Sequence, residues 1–264
     1  MSKARLLITN DDGFDAPGIL ALVEALRDDY DCYLVAPMEN QSCKGVSIAL
    51  PSKLEAAQIS VEGAVAAWKV KSTPADCVKF ALHYVLEKKP DLVLSGINNG
   101  WNAGRNVFYS GTIGATIQAS FYHLPAIAFS SYPWLDAHDF TLEKGVVQKL
   151  TAHFLKTPIG KGSVMNVNFP APKKKVLGLK MARQGLSFWN PVVRARGSAP
   201  DFYLDESIEY SEEDPESDIY LLSQGYVTCT PLQVNDLTDY GRFEQMKISF
   251  LKADLHQSVL QPEF

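Results

Sequence analysis

The chain has 264 residues, 46% hydrophobic and 21% charged, with a net charge of −5. No stretch approaches the ~18 consecutive apolar residues of a membrane-spanning helix, no basic run marks a nucleic-acid groove, and the N-terminal MSKARLLITNDDG does not read as a secretory signal. Residues 4–9 (ARLLIT) form a continuous apolar run of the kind buried on both faces in a parallel sheet. Pro17 and Gly18 open a helix whose Ile19, Leu22, Val23 and Leu26 share one face. Strands follow at 31–36 and, more weakly, at 66–71. Thr73 caps a helix with Pro74 in its first turn, running to Glu87. DLVLS (91–95) is a buried strand, Thr112–His123 a helix, 125–130 a strand, Thr141–Leu155 a helix and 164–169 a strand. Strands alternating with helices predict an α/β protein, with a mainly parallel sheet between two helical layers.

After Pro172 the pattern changes. VLGLKMAR (176–183), YVTCTPL (226–232) and MKISFL (246–251) read as strands, and the acidic stretch 205–218 as a loop. Residues 1–172 are thus expected to form the core and 173–264 a β-rich extension. Between Arg196 and Arg242 there is no Lys or Arg but eleven acidic residues. The main body is therefore mildly basic and tolerant of an anionic ligand. Lys173–Lys175, the longest basic run, follows Pro170-Ala-Pro and reads as a solvated loop. Cys32, Cys43, Cys77 and Cys229 lack CxxC spacing and are read as free thiols of a reducing cytoplasm.

In an open parallel sheet, ligands bind beyond the carboxyl ends of the strands. Four polar segments fall there: Asp11-Asp12-Gly13, PMENQSCKG (37–45), SGINNGWNAGRN (95–106) and YSGTIGA (109–115). Adjacent carboxylates repel, so the pair is either a solvated turn or the seat of a cation, and its place among the other polar strand ends favours the cation. Asp11 and Asp12, with Ser42, Asn98 and Asn102 as neutral oxygen donors, make a hard set that favours Mg²⁺, Mn²⁺ or Ca²⁺ over zinc. Ser110-Gly111-Thr112, opening a helix, is a ready anion site. Together they point to metal-assisted phosphoryl transfer. His83, His123, His138, His153 and His256 lie outside these loops and are read as structural or surface residues. There is no GxSxG elbow, Walker loop or GxGxxG.

The segments ITNDDGFDAPGI, VAPMENQS, STPADCVKFAL, DLVLSGINNGWNAGRNVFYSGTIGAT, NVNFP and GYVTCTPLQVNDLTDY resemble the SurE family of metal-dependent 5′/3′-nucleotidases. The resemblance implies a Rossmann-like core with a C-terminal extension exchanged between subunits, in a homodimer or homotetramer. It implies hydrolysis of nucleoside monophosphates with one Mg²⁺ or Mn²⁺ per subunit. By that resemblance the metal ligands are Asp11, Asp12, Ser42 and Asn98, with the aspartates also catalytic. Ser110, Gly111 and Thr112 contact phosphate, and Asn102 is their neighbour. Cys43 and Ser72 stand where the family usually has glycine, and 184–224 matches loosely. A response-regulator receiver would need a third aspartate at the end of the second strand, which reads VAPMEN. A haloacid-dehalogenase-type phosphatase would need Asp-x-Asp. A non-catalytic metal- and nucleotide-binding protein is the remaining alternative.

Overall fold

The computed structural model describes residues 3–50, 53–134, 137–172, 175–197, 201–205 and 207–252, with no side-chain description for 250–252. Lys173, Lys174 and His256 lie outside these residues. In chain order the elements are β1 (Arg5–Thr9), α1 (Pro17–Leu26), β2 (Asp31–Pro37), β3 (Ala56–Ile59), β4 (Ala64–Val70) and α2 (Pro74–Phe80), the last continuing into a π-helical turn, Ala81–Val85. Then come β5 (Leu92–Asn99), a 3₁₀ helix (Gly104–Tyr109), α3 (Gly111–Phe121), β6 (Ala126–Ser131), α4 (Thr141–Lys156) and β7 (Ser163–Asn168). The remainder comprises β8 (Gly178–Met181), β9 (Phe188–Trp189), β10 (Val193–Ala195), β11 (Phe202–Leu204), β12 (Ile208–Glu209), α5 (Asp218–Gln224), β13 (Tyr226–Gln233) and α6 (Tyr240–Lys252).

Nine strands form one sheet in the order β3-β4-β2-β1-β5-β6-β7-β13-β8. The five contacts that run β4-β2-β1-β5-β6-β7, and that of β13 on β8, are parallel, whereas β3 on β4 and β13 on β7 are antiparallel. The apolar runs alternate between two cores, as a sheet covered on both faces requires. Leu6, Ile8, Leu92 and Leu94 pack with Ile19, Leu22 and Leu26 of α1 and Val147 of α4. Leu7 and Val93 face the other way, onto Cys77 and Val78 of α2 and Ile113 and Ala115 of α3. The expected α/β three-layer architecture is present, and so is the β-rich C-terminal part.

The helix caps follow the sequence. The Thr73 hydroxyl accepts from the Asp76 N–H, and Pro74 occupies the first turn of α2. Three expectations change. MKISFL lies within helix α6, because its alternation also fits a longer run in which Tyr240, Phe243 and Met246 recur at three-residue intervals. The 205–218 stretch contains β12, which pairs with β9. Ser217 and a left-handed Gly225 bracket α5, a short helix within the extension. Strands β8 and β13, although read as extension, complete the main sheet beyond β7.

Strand order reverses at β1, whose two neighbours are β2 and β5. The crevice between the carboxyl ends of β1 and β5 is therefore the topological switch point, where such sheets bind ligands.

Candidate active site

Asp11 and Asp12 follow β1 after Asn10, and Asn98 and Asn99 end β5, across that crevice. The turn is built by Asn10, whose amide donates to the Gly13 carbonyl and whose Oδ1 accepts from the Gly13 N–H. The Asp11 carbonyl accepts from the Gln41 N–H over 2.7 Å, tying the loop that carries Ser42 to the acidic pair. Asn40 Oδ1 then accepts from the Ser42 N–H, leaving that serine exposed at the loop surface.

Asp11 is buried, and its Oδ1 accepts from the Thr112 hydroxyl over 2.5 Å. Burial first, and the neighbouring Asp12 second, push the Asp11 carboxyl up to about 6. Burial also raises Asp12, whose Oδ2 accepts from the Asn99 N–H. Among the described residues no lysine or arginine forms an ion pair with either carboxylate. Two adjoining, desolvated carboxylates without a protein counter-charge suit an added cation. The Asn98 amide donates to the Gly100 carbonyl, which leaves Oδ1 as its free donor atom toward a metal. Among the described residues no three His, Cys, Asp or Glu side chains gather as a metal cluster, so a cation here would lean on neutral oxygens.

Ser110 caps α3: its hydroxyl accepts from the Ile113 N–H. Gly111 is required by close approach, since a Cβ there would stand 2.8 Å from Asp11 Cβ and 2.9 Å from its Oδ2. The N-terminus of α3 thus abuts the acidic turn, and its dipole favours negative charge at that point. Of the expected phosphate contacts, Ser110 and Gly111 line this helix end, while the Thr112 hydroxyl is directed to Asp11.

Asn102 is buried beneath the site. Its N–H donates to Asn168 Oδ1, its amide donates to the Ser130 hydroxyl, and its carbonyl accepts from Asn166 Nδ2. Asn166 and Asn168 stand two apart on β7 and so share a face. The NVNFP run carries that spacing, but the sequence reading assigned it no role. Asn99 was also missed: besides its bond to Asp12, its side chain holds both backbone groups of Trp134. Trp134 stacks on His138, which pairs with the buried Glu143 at 2.9 Å, and Glu143 accepts from Ser131. His138 is therefore structural, as expected, though it braces the β6 end of the crevice. Cys43 is exposed and the other three cysteines are buried; all four are free.

Fold and crevice together define a doubly wound α/β protein with an acidic site at its switch point, facing a helix N-terminus. The family model for the survival protein SurE matches residues 6–191. The chain belongs to the SurE family. It is 36% identical over 255 residues to the 5′-nucleotidase SurE of Protochlamydia amoebophila, covering 94% of this chain and 97% of that protein. It is 37% identical over 253 residues to the 5′-nucleotidase SurE of Flavobacterium psychrophilum, covering 93% and 97%. The crystal structure of the SurE protein from Aquifex aeolicus superposes with a TM-score of 0.79 at 32% identity, over 92% of this chain and 98% of that one.

Proposed function

We infer that this chain is a 5′-nucleotidase, and we propose that it hydrolyses nucleoside 5′- and 3′-monophosphates with one Mg²⁺ or Mn²⁺ per subunit. The observation that carries the reading is the Thr112–Asp11 hydrogen bond, which brings an anion-favouring helix end against an unpaired carboxylate couple. Asp11, Asp12, Ser42 and Asn98 would hold the cation. Bound there, it would supply Lewis-acid polarisation of a phosphoryl oxygen and a water of lowered pKa.

The chain's own residues do the rest. Ser110 and the Gly111 N–H receive phosphate oxygens at the start of α3, where the helix dipole offsets charge developing in the transition state. Thr112 fixes the Asp11 carboxylate through Oδ1, while Oδ2 lies beside Gly111. Asp12 is held at Oδ2 by the Asn99 N–H, with Oδ1 as its other oxygen. One of the two receives the proton of the attacking water. Asn102, clamped by Asn166, Asn168 and Ser130, keeps the loop between Asn98 and Ser110 in register.

Residues 1–172 are assigned the catalytic role and 173–264 that of assembly into a homodimer or homotetramer, by exchange of the extension. Support comes from apolar side chains the single chain leaves bare: Val193 at 64%, Phe202 at 63% and Leu204 at 64% exposure on the β10–β11 hairpin. Four free thiols suit a cytoplasmic location, and among the described residues no helix is long and apolar enough to cross a membrane.

The test is phosphate release from 5′- and 3′-nucleoside monophosphates with Mg²⁺, Mn²⁺ or EDTA. Release that EDTA abolishes and either ion restores supports the reading. Nucleotide binding without release would instead indicate a non-catalytic binding protein.

A further inference from the structure

A cavity of about 360 Å³ has walls that include Trp101, Tyr132, Phe188, Trp189 and Tyr210. That volume falls at the low end of the ~300–1,000 Å³ range of small-molecule pockets. We propose that this aromatic cavity receives the nucleobase of the substrate, with Asn106 as its polar contact. The inference rests on the nucleotidase reading above and extends it to the part of the substrate that carries no phosphate.

Position is the first argument. Trp101 lies three residues beyond Asn98, and Asn106 lies four residues before Ser110. One wall of the cavity is therefore the segment that joins a proposed metal ligand to the proposed phosphate site. At ~2 Å rise per residue, the 3₁₀ helix sets Asn106 about 8 Å from Ser110. That is the scale of the ribose linking base to phosphate.

Chemistry is the second. Trp101 and Tyr132 meet edge to face at 5.2 Å, and Trp101 is pinned by its indole N–H to the Phe169 carbonyl. Phe188 and Trp189 belong to β9, which the extension lays against the 3₁₀ helix through the Arg105 N–H to Ser187 carbonyl bond. Rigid aromatic faces from three separate segments suit a flat π-system, and base–aromatic stacking tolerates any base. Asn106 Oδ1 accepts from the Trp189 N–H at 2.8 Å, which fixes the amide orientation and directs Nδ2 as the donor available to a ligand. Ser187, which also lines the cavity, already donates to Glu213 and accepts from the Ser211 N–H. A purine offers ring-nitrogen acceptors to the Asn106 donor and the larger face to stack.

The experiment compares kcat/KM for adenosine 5′-monophosphate with that for ribose 5-phosphate, in the wild type and in Trp101→Leu, Trp101→Phe and Phe188→Ala. Adenosine binding is measured alongside by calorimetry in EDTA. The ratio of the two kcat/KM values should fall ~10-fold in Trp101→Leu and in Phe188→Ala, the equivalent of one lost stack. Trp101→Phe, which keeps a ring face, should restore most of it. Adenosine affinity should fall in the same two variants. An unchanged ratio with unchanged adenosine affinity overturns the proposal even if the wild type hydrolyses every nucleotide. If nucleotides are not hydrolysed at all, the nucleotidase reading fails, and loss of adenosine binding in the two variants still supports the cavity as a base site.

Discussion

The Thr112 hydroxyl donates to Oδ1 of Asp11 across 101 residues of sequence, joining the first turn of α3 to the carboxyl end of β1. A buried carboxylate deprived of that donor would carry its charge with less compensation. Thr112→Val should therefore destabilise the metal-free protein by about 1.5–3 kcal/mol at neutral pH, the range for a hydrogen bond to a charged group. Thr112→Ser should recover most of it. Urea unfolding in EDTA measures both, and a valine variant as stable as the wild type would remove this bond from the account of the site.

Asp12→Asn removes one of two adjoining charges. Turnover with Mg²⁺ or Mn²⁺ should drop to background, while the unfolding midpoint in EDTA should hold steady or rise as repulsion is relieved. Wild-type turnover in excess EDTA, or an active asparagine variant, would contradict the metal assignment.

Cys43 holds a backbone φ of +61° beside Ser42. An L-residue in that region costs roughly 1–2 kcal/mol, and glycine relieves it. Cys43→Gly should raise stability by up to about 1 kcal/mol after glycine's own entropy cost, with kcat/KM kept within a few-fold. Complete loss of activity would mean that the thiol takes part in the chemistry.

Asp218 is fully buried, and its Oδ1 accepts from the N–H groups of Gly185 and Ile219 while both oxygens face the Gly104 N–H. Burial, aided by nearby Glu213, raises its carboxyl to about 6 from an ordinary 3.8. The folded state thus favours the protonated form. The stability this group contributes is fully present below about 3.8 and is lost as pH rises through about 6. Asp218→Asn keeps an acceptor oxygen and no longer titrates. The difference in unfolding free energy between wild type and variant should therefore tilt against the wild type between pH 4 and 7, about one to two units either side of that value. Glu213, which is held below its ordinary value, titrates in both proteins and largely cancels in the difference. Parallel stability curves across the window would refute the assignment.

Tyr240, Phe243, Met246 and Ile248 of α6 are exposed, as are the apolar side chains of the β10–β11 hairpin. Light scattering of the intact protein at micromolar concentration should give at least twice the 29.1 kDa chain mass. A monomer under those conditions would end the assembly proposal.

The core was legible because two-face burial leaves little choice of side chain: LLI in β1 and LVL in β5 admit few other readings. The α3 cap was legible from Ser110 ahead of the helical run, and the acidic turn from the cost of adjoining carboxylates, while Asn98 was singled out by its place at a strand end. β3 was missed because AAQI carries only one β-branched residue, and pairing with β4 decides its fate. α6 was misread because M-K-I-S-F-L satisfies a two-residue period in a window too short to separate it from a helical one. Asn99 was invisible for another reason. Its bond to Asp12 uses a backbone N–H, which nearly every residue type supplies.

The antiparallel seam of β13 on β7 runs through six registered residue pairs, from Thr228–Asn168 to Gln233–Ser163. It makes the C-terminal third a structural debt of the N-terminal two thirds. A chain cut after Pro172 would keep every proposed metal and phosphate ligand, yet it would present the raw border of β7 to solvent, where another chain can dock and propagate. Such a fragment should be found in the insoluble fraction. By contrast, β10 and β11 hydrogen-bond only to each other among the described strands, so the hairpin can be removed or handed to a neighbour with the sheet left closed. Protein engineers seeking a minimal version should therefore excise from the middle of the extension and leave its far end in place.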